Sequence, residues 1–223
     1  MSTMKLQYLV GLSLLMMVCQ SVWAQNPSNY YVEDPKTFVG GFVAGTNFSQ
    51  VDGDSYRGYK KMGFNAGAIL YAQLKPQLAA SIEILYVQKG AISNGAQLSR
   101  GNITQINKQN ISLNYAEIPI QINYFDQKKS HFGAGFSYAQ LIGSREEINV
   151  SSSSIKYDPD KYPFKKMDIN LVLTGQLHVY KGLFAGLRFQ YSMISIRDNV
   201  DPLFGRSEQF NNVFALRLMY LFY

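Results

Sequence analysis

Cysteine is almost missing from this chain: one residue in 223. That excludes a disulfide framework, a cysteine-rich zinc site and an iron–sulfur cluster. Charge is also scarce. Asp, Glu, Lys and Arg together make 16%, against about 25% in a typical soluble domain, which excludes a disordered acidic or basic tail protein and argues against a soluble helical bundle. Beyond the first two dozen residues no apolar run approaches the roughly 18 residues of a membrane helix. The net charge of +6 is modest and spread along the chain, so no nucleic-acid partner is expected. No glycine-rich phosphate loop stands on a strand–helix turn, and no cofactor is expected. What is abundant is Tyr, at 16 residues, with Phe at 14 and Gly at 18.

The first residues have the layout of a secretory leader. Lys5 gives the positive start, Leu9 to Val18 gives the apolar core, and Ser21-Val22-Trp23-Ala24 gives small side chains where a signal peptidase requires them. Residues 1–24 are therefore expected to be a signal peptide, with cleavage before Gln25. The apolar core is too short to span a bilayer comfortably. An acylated Cys19 is disfavoured because Val18 is bulky for the position before it.

The rest alternates with period two. From Leu183 to Met193 one parity carries Leu183, Ala185, Leu187, Phe189, Tyr191 and Met193, and the other Phe184, Gly186, Arg188, Gln190 and Ser192. Near the end, Phe214, Leu216, Leu218, Tyr220 and Phe222 alternate with Ala215, Arg217, Met219 and Leu221. Such runs are strands with one apolar face and one mixed polar face. Eight are counted, at about 38–50, 59–74, 78–90, 108–124, 131–144, 167–180, 183–194 and 211–223. Tight connections (Lys75-Pro76-Gln77, Asp126 to Ser130, Lys181-Gly182) alternate strictly with longer polar ones at roughly 51–58, 91–107, 145–166 and 195–210. This pattern predicts an all-β, eight-stranded antiparallel up-and-down barrel crossing an outer membrane, with short turns inside and long loops outside.

A lipocalin-like carrier has the same strand count but packs its apolar face inward. Here Leu, Ile, Phe and Tyr fill one face, while Gly, Asn, Gln, Ser, Arg and Glu fill the other, so the apolar face belongs in lipid. The aromatic finish Tyr220-Leu221-Phe222-Tyr223 fits a closing strand. The opposite parity would set Arg217 in lipid, at a cost of about 2–4 kcal/mol near the midplane.

Several stretches resemble the PorT-like outer-membrane β-barrel proteins of Gram-negative bacteria. Gly41-Phe42-Val43-Ala44-Gly45-Thr46-Asn47-Phe48-Ser49 is similar to the family's first strand, and Met62-Gly63-Phe64-Asn65-Ala66-Gly67 to the opening of its second. Ala80 to Gly90, with Glu83 and a terminal Lys89-Gly90, is similar to the third. Tyr115-Ala116-Glu117-Ile118-Pro119-Ile120 is similar to the fourth, with its Glu-Ile-Pro motif. The resemblance covers nearly all of the chain after the leader. It implies the barrel fold and the outer membrane; some members of the family are accessory factors of secretion and gliding, and most have no assigned role.

Eight strands enclose only enough space for side chains, which argues against a general diffusion pore. The inward parity includes Glu83, Glu117, Arg188 and Arg217, each about five to seven residues from the short-turn end of its strand. Two carboxylates and two guanidiniums facing each other across a narrow lumen are expected to form an interior charge network that fills the barrel. No catalytic set is expected. The two histidines, His131 and His178, stand near short turns, far from the outer leaflet where a lipid-modifying enzyme would work. Asp52-Gly53-Asp54 is too small a ligand set for a dedicated calcium site.

The expected organisation is thus a leader over 1–24, a periplasmic lead-in over 25–37 and a barrel over 38–223. Its expected partners are outer-membrane lipid and an envelope or secretion-complex protein. N-terminal sequencing of protein from the envelope fraction should begin at Gln25; a chain retaining Met1, or beginning at a lipid-modified Cys19, would contradict the leader.

Overall fold

The computed structural model describes residues 37–54, 58–98, 105–150, 162–198 and 205–222. Its eight strands are β1 (Phe38–Asp54), β2 (Lys61–Lys75), β3 (Leu78–Leu98), β4 (Gln105–Phe125), β5 (His131–Val150), β6 (Met167–Tyr180), β7 (Leu183–Ser192) and β8 (Gly205–Leu221). Each pairs antiparallel with the next, and β8 returns to β1, so the sheet closes into a barrel. Among the described residues no helix is long and apolar enough to cross a membrane. The expected leader, most of the lead-in and Tyr223 lie outside the described residues.

The two faces sort as the alternation dictates. On β3, Glu83 is 2% exposed while its neighbour Ile84 is 68% exposed. Successive side chains of a strand point to opposite faces, so this contrast repeats around the wall. Ile82, Ile118, Ile120, Ile122, Leu173, Leu177, Leu187, Leu216 and Leu218 form an outward aliphatic band. Aromatic rings edge it. Phe38, Tyr124, Tyr180, Tyr220 and Phe222 lie toward the short turns, with Phe222 edge-on to Phe42 at 5.3 Å. Phe64 with Tyr86 and Tyr191 with Phe210 lie toward the long loops. An apolar band between aromatic girdles is the outer surface of a membrane barrel, and a lipocalin would carry the reverse.

The strands run further toward the long-loop end than the alternation predicts. Segments 91–107, 145–166 and 195–210 read as loops, yet β3 continues to Leu98, β4 begins at Gln105, β5 reaches Val150 and β8 begins at Gly205. There polar residues such as Ser93, Asn94, Gln97, Asn107, Arg145, Glu147, Asn149 and Ser207 break any steady apolar alternation. Above the membrane neither face needs to be apolar, so the ladder persists without a sequence signal. The segment after β7 also departs from a loop. Ile196 and Arg197 turn inward and are buried, and an isolated bridge ties Arg197 to Gln209 on β8.

Local irregularities have identifiable causes. β5 carries one extra residue opposite β4: Tyr115 faces Leu141, whereas Asn114 faces Gly143. This bulge leaves Ile142 and Gly143 both on the outer side and reverses the parity of everything after them. In the β3–β4 ladder, pairing skips from Ile82↔Ile120 to Leu85↔Glu117. The skipped residues Glu83 and Ile84 stand opposite Ile118 and Pro119, and proline brings no N–H to a ladder. At Gly90, φ is +141°, and a Cβ there would collide with the Ile111 carbonyl oxygen of β4. Nearby, Lys61 reaches across β3 to Asn110 Oδ1 at 2.8 Å and Ser112 Oγ at 2.7 Å on β4.

Candidate functional site

The lumen is built in four tiers. At the short-turn end it is closed by rings. His131, 1% exposed, stacks on Phe125 at 4.3 Å, meets Phe184 at 5.6 Å, and its Nε2 lies 2.9 Å from the Tyr71 hydroxyl. Which of those two atoms holds the proton depends on the imidazole tautomer.

The second tier centres on Glu83. Arg188 of β7 donates to Oε1, Arg217 of β8 donates to Oε2 at 2.5 Å, and Gln121 Nε2 donates to Oε1 at 3.0 Å. Strand parity puts all three charged groups inward, and closure of β8 on β1 brings the two arginines across from β3. Room for them comes from small residues. A Cβ at Gly45 would stand 2.9 Å from Arg217 Cγ and closer still to the Leu216 carbonyl oxygen. This tier carries one negative and two positive charges.

The third tier has the opposite balance. Lys89 Nζ lies 2.5 Å from Glu117 and 3.8 Å from Asp168, and donates to Asn170 Oδ1 at 3.1 Å. Gln190 Nε2 donates to Glu117 at 3.0 Å. Ser192 Oγ and Asn211 Nδ2 donate to Asp168 Oδ2 at 3.0 and 2.9 Å. Two carboxylates and one ammonium leave this tier with an excess negative charge, which offsets the tier below. All six charged side chains are at most 3% exposed. Charges taken out of water need partners of opposite sign and further hydrogen bonds, and the stacked tiers supply both.

Toward the long loops the fourth tier is apolar. Val51, Ala91, Ile111, Leu113, Tyr115, Ala139 and Ile196 pack together, with Leu141 and Phe164 against them. Above the bulge the inward parity of β5 passes to Glu146, whose carboxylate receives Arg197 at 2.6 Å. The Arg197 guanidinium lies 3.6 Å from the centre of the Phe164 ring. On the solvent side of the same segment the ammonium of Lys165, bonded at 2.6 Å, and the hydroxyl of Ser195 hold Asp198 below the ordinary carboxylate range.

The structure thus brings Glu83, Arg188 and Arg217 together, while Glu117 stands one tier higher and takes Lys89 and Gln190. Alternation within the third strand assigns Lys89 to the same face as Glu83. Asp168 shares the parity of Asn170 but opens its strand, directly after a polar connection. Ile196 continues the parity of Ser192, whereas Arg197 has the opposite parity and is buried only because the chain has left the strand after Ser192. Glu146 carried no usable signal, since its direction is set by the bulge.

His178 Nε2 is 2.6 Å from the Lys181 carbonyl oxygen. Neither histidine ring is bonded to a serine and an acid among the described residues, and no group of three or more metal-ligating side chains is found among them.

A closed eight-stranded wall with an apolar exterior and a lumen of paired charge defines an integral barrel of the outer membrane. The chain belongs to the outer membrane protein beta-barrel domain family, whose model matches residues 23–198. Among solved structures it is similar to Ail, the attachment invasion locus protein of Yersinia pestis, at 11% identity, a TM-score of 0.43, and coverage of 82% of this chain and 98% of that one. It is also similar to the outer membrane protein OprG of Pseudomonas aeruginosa, at 9% identity, a TM-score of 0.38, and coverage of 83% and 94%. No curated protein matches by sequence.

Replacing Lys89 with Met should leave Glu117 and Asp168 without a cation. Breaking one side of a buried pair typically costs about 3–5 kcal/mol. The temperature at which the folded band is lost on an unheated-versus-heated gel should fall, and adding Glu117→Gln to Lys89→Met should recover part of the loss. An unchanged temperature for Lys89→Met would contradict the third tier.

Proposed function

We propose that this protein is a non-catalytic, closed barrel of the PorT-like kind that acts through a protein partner of the envelope or of a secretion complex. In this reading residues 1–24 export the chain, 25–37 form a periplasmic lead-in and 38–223 form the barrel. The single observation that carries the proposal is a lumen filled from end to end: an aromatic floor, two charged tiers and an apolar cap held by Arg197 and Glu146. Among the described residues such an interior argues against a wide passage for solutes. Glu83, Glu117, Arg188 and Arg217, with Lys89 and Asp168, then have a structural task, which is to hold the barrel shut while satisfying one another's charge.

Interaction falls to the surface. The wall is uneven at the long-loop end. β3, β4 and β5 run 21, 21 and 20 residues, against 10 in β7. Three neighbouring strands therefore extend together as a palisade, with Lys61, Asn110 and Ser112 joined across its outer side. A polar, pre-organised face of this kind suits a protein partner, because little order must be gained on binding. An outer-leaflet lipid-modifying enzyme is the alternative. It is disfavoured because His131 and His178 are both committed at the short-turn end.

Two measurements test the proposal. Purified protein in planar bilayers should give no stepwise conductance, and a photoreactive residue at Asn110 or Ser112 should yield a discrete protein adduct in intact cells. Stepwise channels, or release of acyl chains from lipid A by the purified barrel, would contradict it.

A further inference from the structure

The short-turn rim has a feature that neither the lumen nor the palisade requires. Each of its three turns carries exposed lysine: Lys75 before the β2–β3 turn, Lys128 in the β4–β5 turn and Lys181 in the β6–β7 turn. Lys129 adds a further cation to the β4–β5 turn. Asp126 is the acid among the described residues of these turns, and its Oδ1 accepts the backbone N–H of Lys128 at 2.8 Å.

The backbone supplies an independent observation. Among the described residues, the non-glycine positions with positive φ are Lys129 at 70° and Lys181 at 46°. Left-handed backbone favours Gly or Asn, and a lysine there is strained. In the β6–β7 turn the glycine stands next door at Gly182, where a Cβ would collide with the Leu221 carbonyl oxygen. Both strained positions thus carry an ammonium in place of the residues the geometry favours. Beneath the lysines lies the aromatic girdle. The Lys181 ammonium is 5.2 Å from the centre of the Tyr180 ring, and the Tyr124 hydroxyl donates to Gln77 Oε1 at 3.2 Å. Aromatic residues and lysines together mark the level of lipid headgroups.

We infer that the short-turn rim is a binding ring for anionic phospholipid headgroups, its lysines gathering phosphate-bearing lipid around the barrel at the inner leaflet. The distribution of charge favours lipid over a protein partner. A protein docks on one side, whereas these cations sit one turn after another around the circumference, where only the surrounding lipid meets all of them. Ammonium groups at a membrane surface attract anionic headgroups, and salt screens the attraction.

The test uses the mature chain reconstituted in phosphatidylcholine bilayers with trace spin-labelled phosphatidylglycerol or phosphatidylcholine. The motionally restricted fraction gives the relative association of each lipid with the barrel. The wild type should prefer phosphatidylglycerol by about threefold or more at low salt, and the preference should collapse at about 1 M salt. Lys75→Gln, Lys128→Gln and Lys181→Gln combined should bring it close to one. The pair Lys129→Asn and Lys181→Asn should raise the unfolding temperature while lowering the preference, separating the role of charge from that of folding. A wild type with equal affinity for the two lipids would overturn the inference. So would an undiminished preference in the combined glutamine variant, or retention of an acidic periplasmic protein by these lysines without any lipid preference.

Discussion

A carboxylate held between two guanidiniums, with every partner out of reach of water, is the constraint around which this barrel is organised. Glu83 receives Arg188 and Arg217 and so leaves an excess positive charge in the lumen. That excess would be costly alone in a site of low dielectric. It is offset one tier up, where Lys89 is shared between Glu117 and Asp168. Other details accommodate the pair of tiers. Gly45 clears the path of the Arg217 stem, Gln121 donates to Glu83, Gln190 to Glu117, and Ser192 and Asn211 to Asp168. Pro119 stands opposite Glu83 and two residues after Glu117, at the point where the β3–β4 ladder is interrupted. The Glu-Ile-Pro stretch therefore does three things in three residues: it points a carboxylate inward, an isoleucine outward, and ends the ladder locally.

The exterior answers a different solvent. Its aliphatic band and aromatic girdles fix the height of the barrel in the outer membrane, and the polar extensions of β3, β4 and β5 stand beyond it. The cap joins the two regimes. Arg197 and Glu146 bury one more ion pair at the mouth, under the Phe164 ring and beside the apolar cluster. The palisade stands at one end of the barrel and the lysine rim at the other.

How much of this was legible in the sequence depends on where two solvents meet. Within the membrane, lipid and lumen impose opposite chemistries on alternate residues, so the barrel, its strand order and the inward course of Glu83, Glu117, Arg188 and Arg217 follow from parity. Beyond the membrane both faces see water. Ser93, Asn94 and Gln97 therefore look like loop although their backbones pair with β4. Glu146 was hidden for another reason: one extra residue at Ile142 reverses the parity of β5, and nothing in the local composition announces the bulge. The strained lysines at 129 and 181 were equally silent, since positive φ is a property of the folded turn.

The most direct test of the account is a double-mutant cycle between Arg217→Leu and Glu83→Gln, read by the temperature at which the folded band is lost. Contact between the two side chains predicts a large favourable coupling, of about 0.5–3 kcal/mol. The same cycle between Arg217→Leu and Glu117→Gln, whose side chains occupy different tiers, should show much weaker coupling. A coupling of zero for Arg217 with Glu83, or stabilisation by Arg217→Leu alone, would contradict the two-tier lumen and the closed barrel that rests on it.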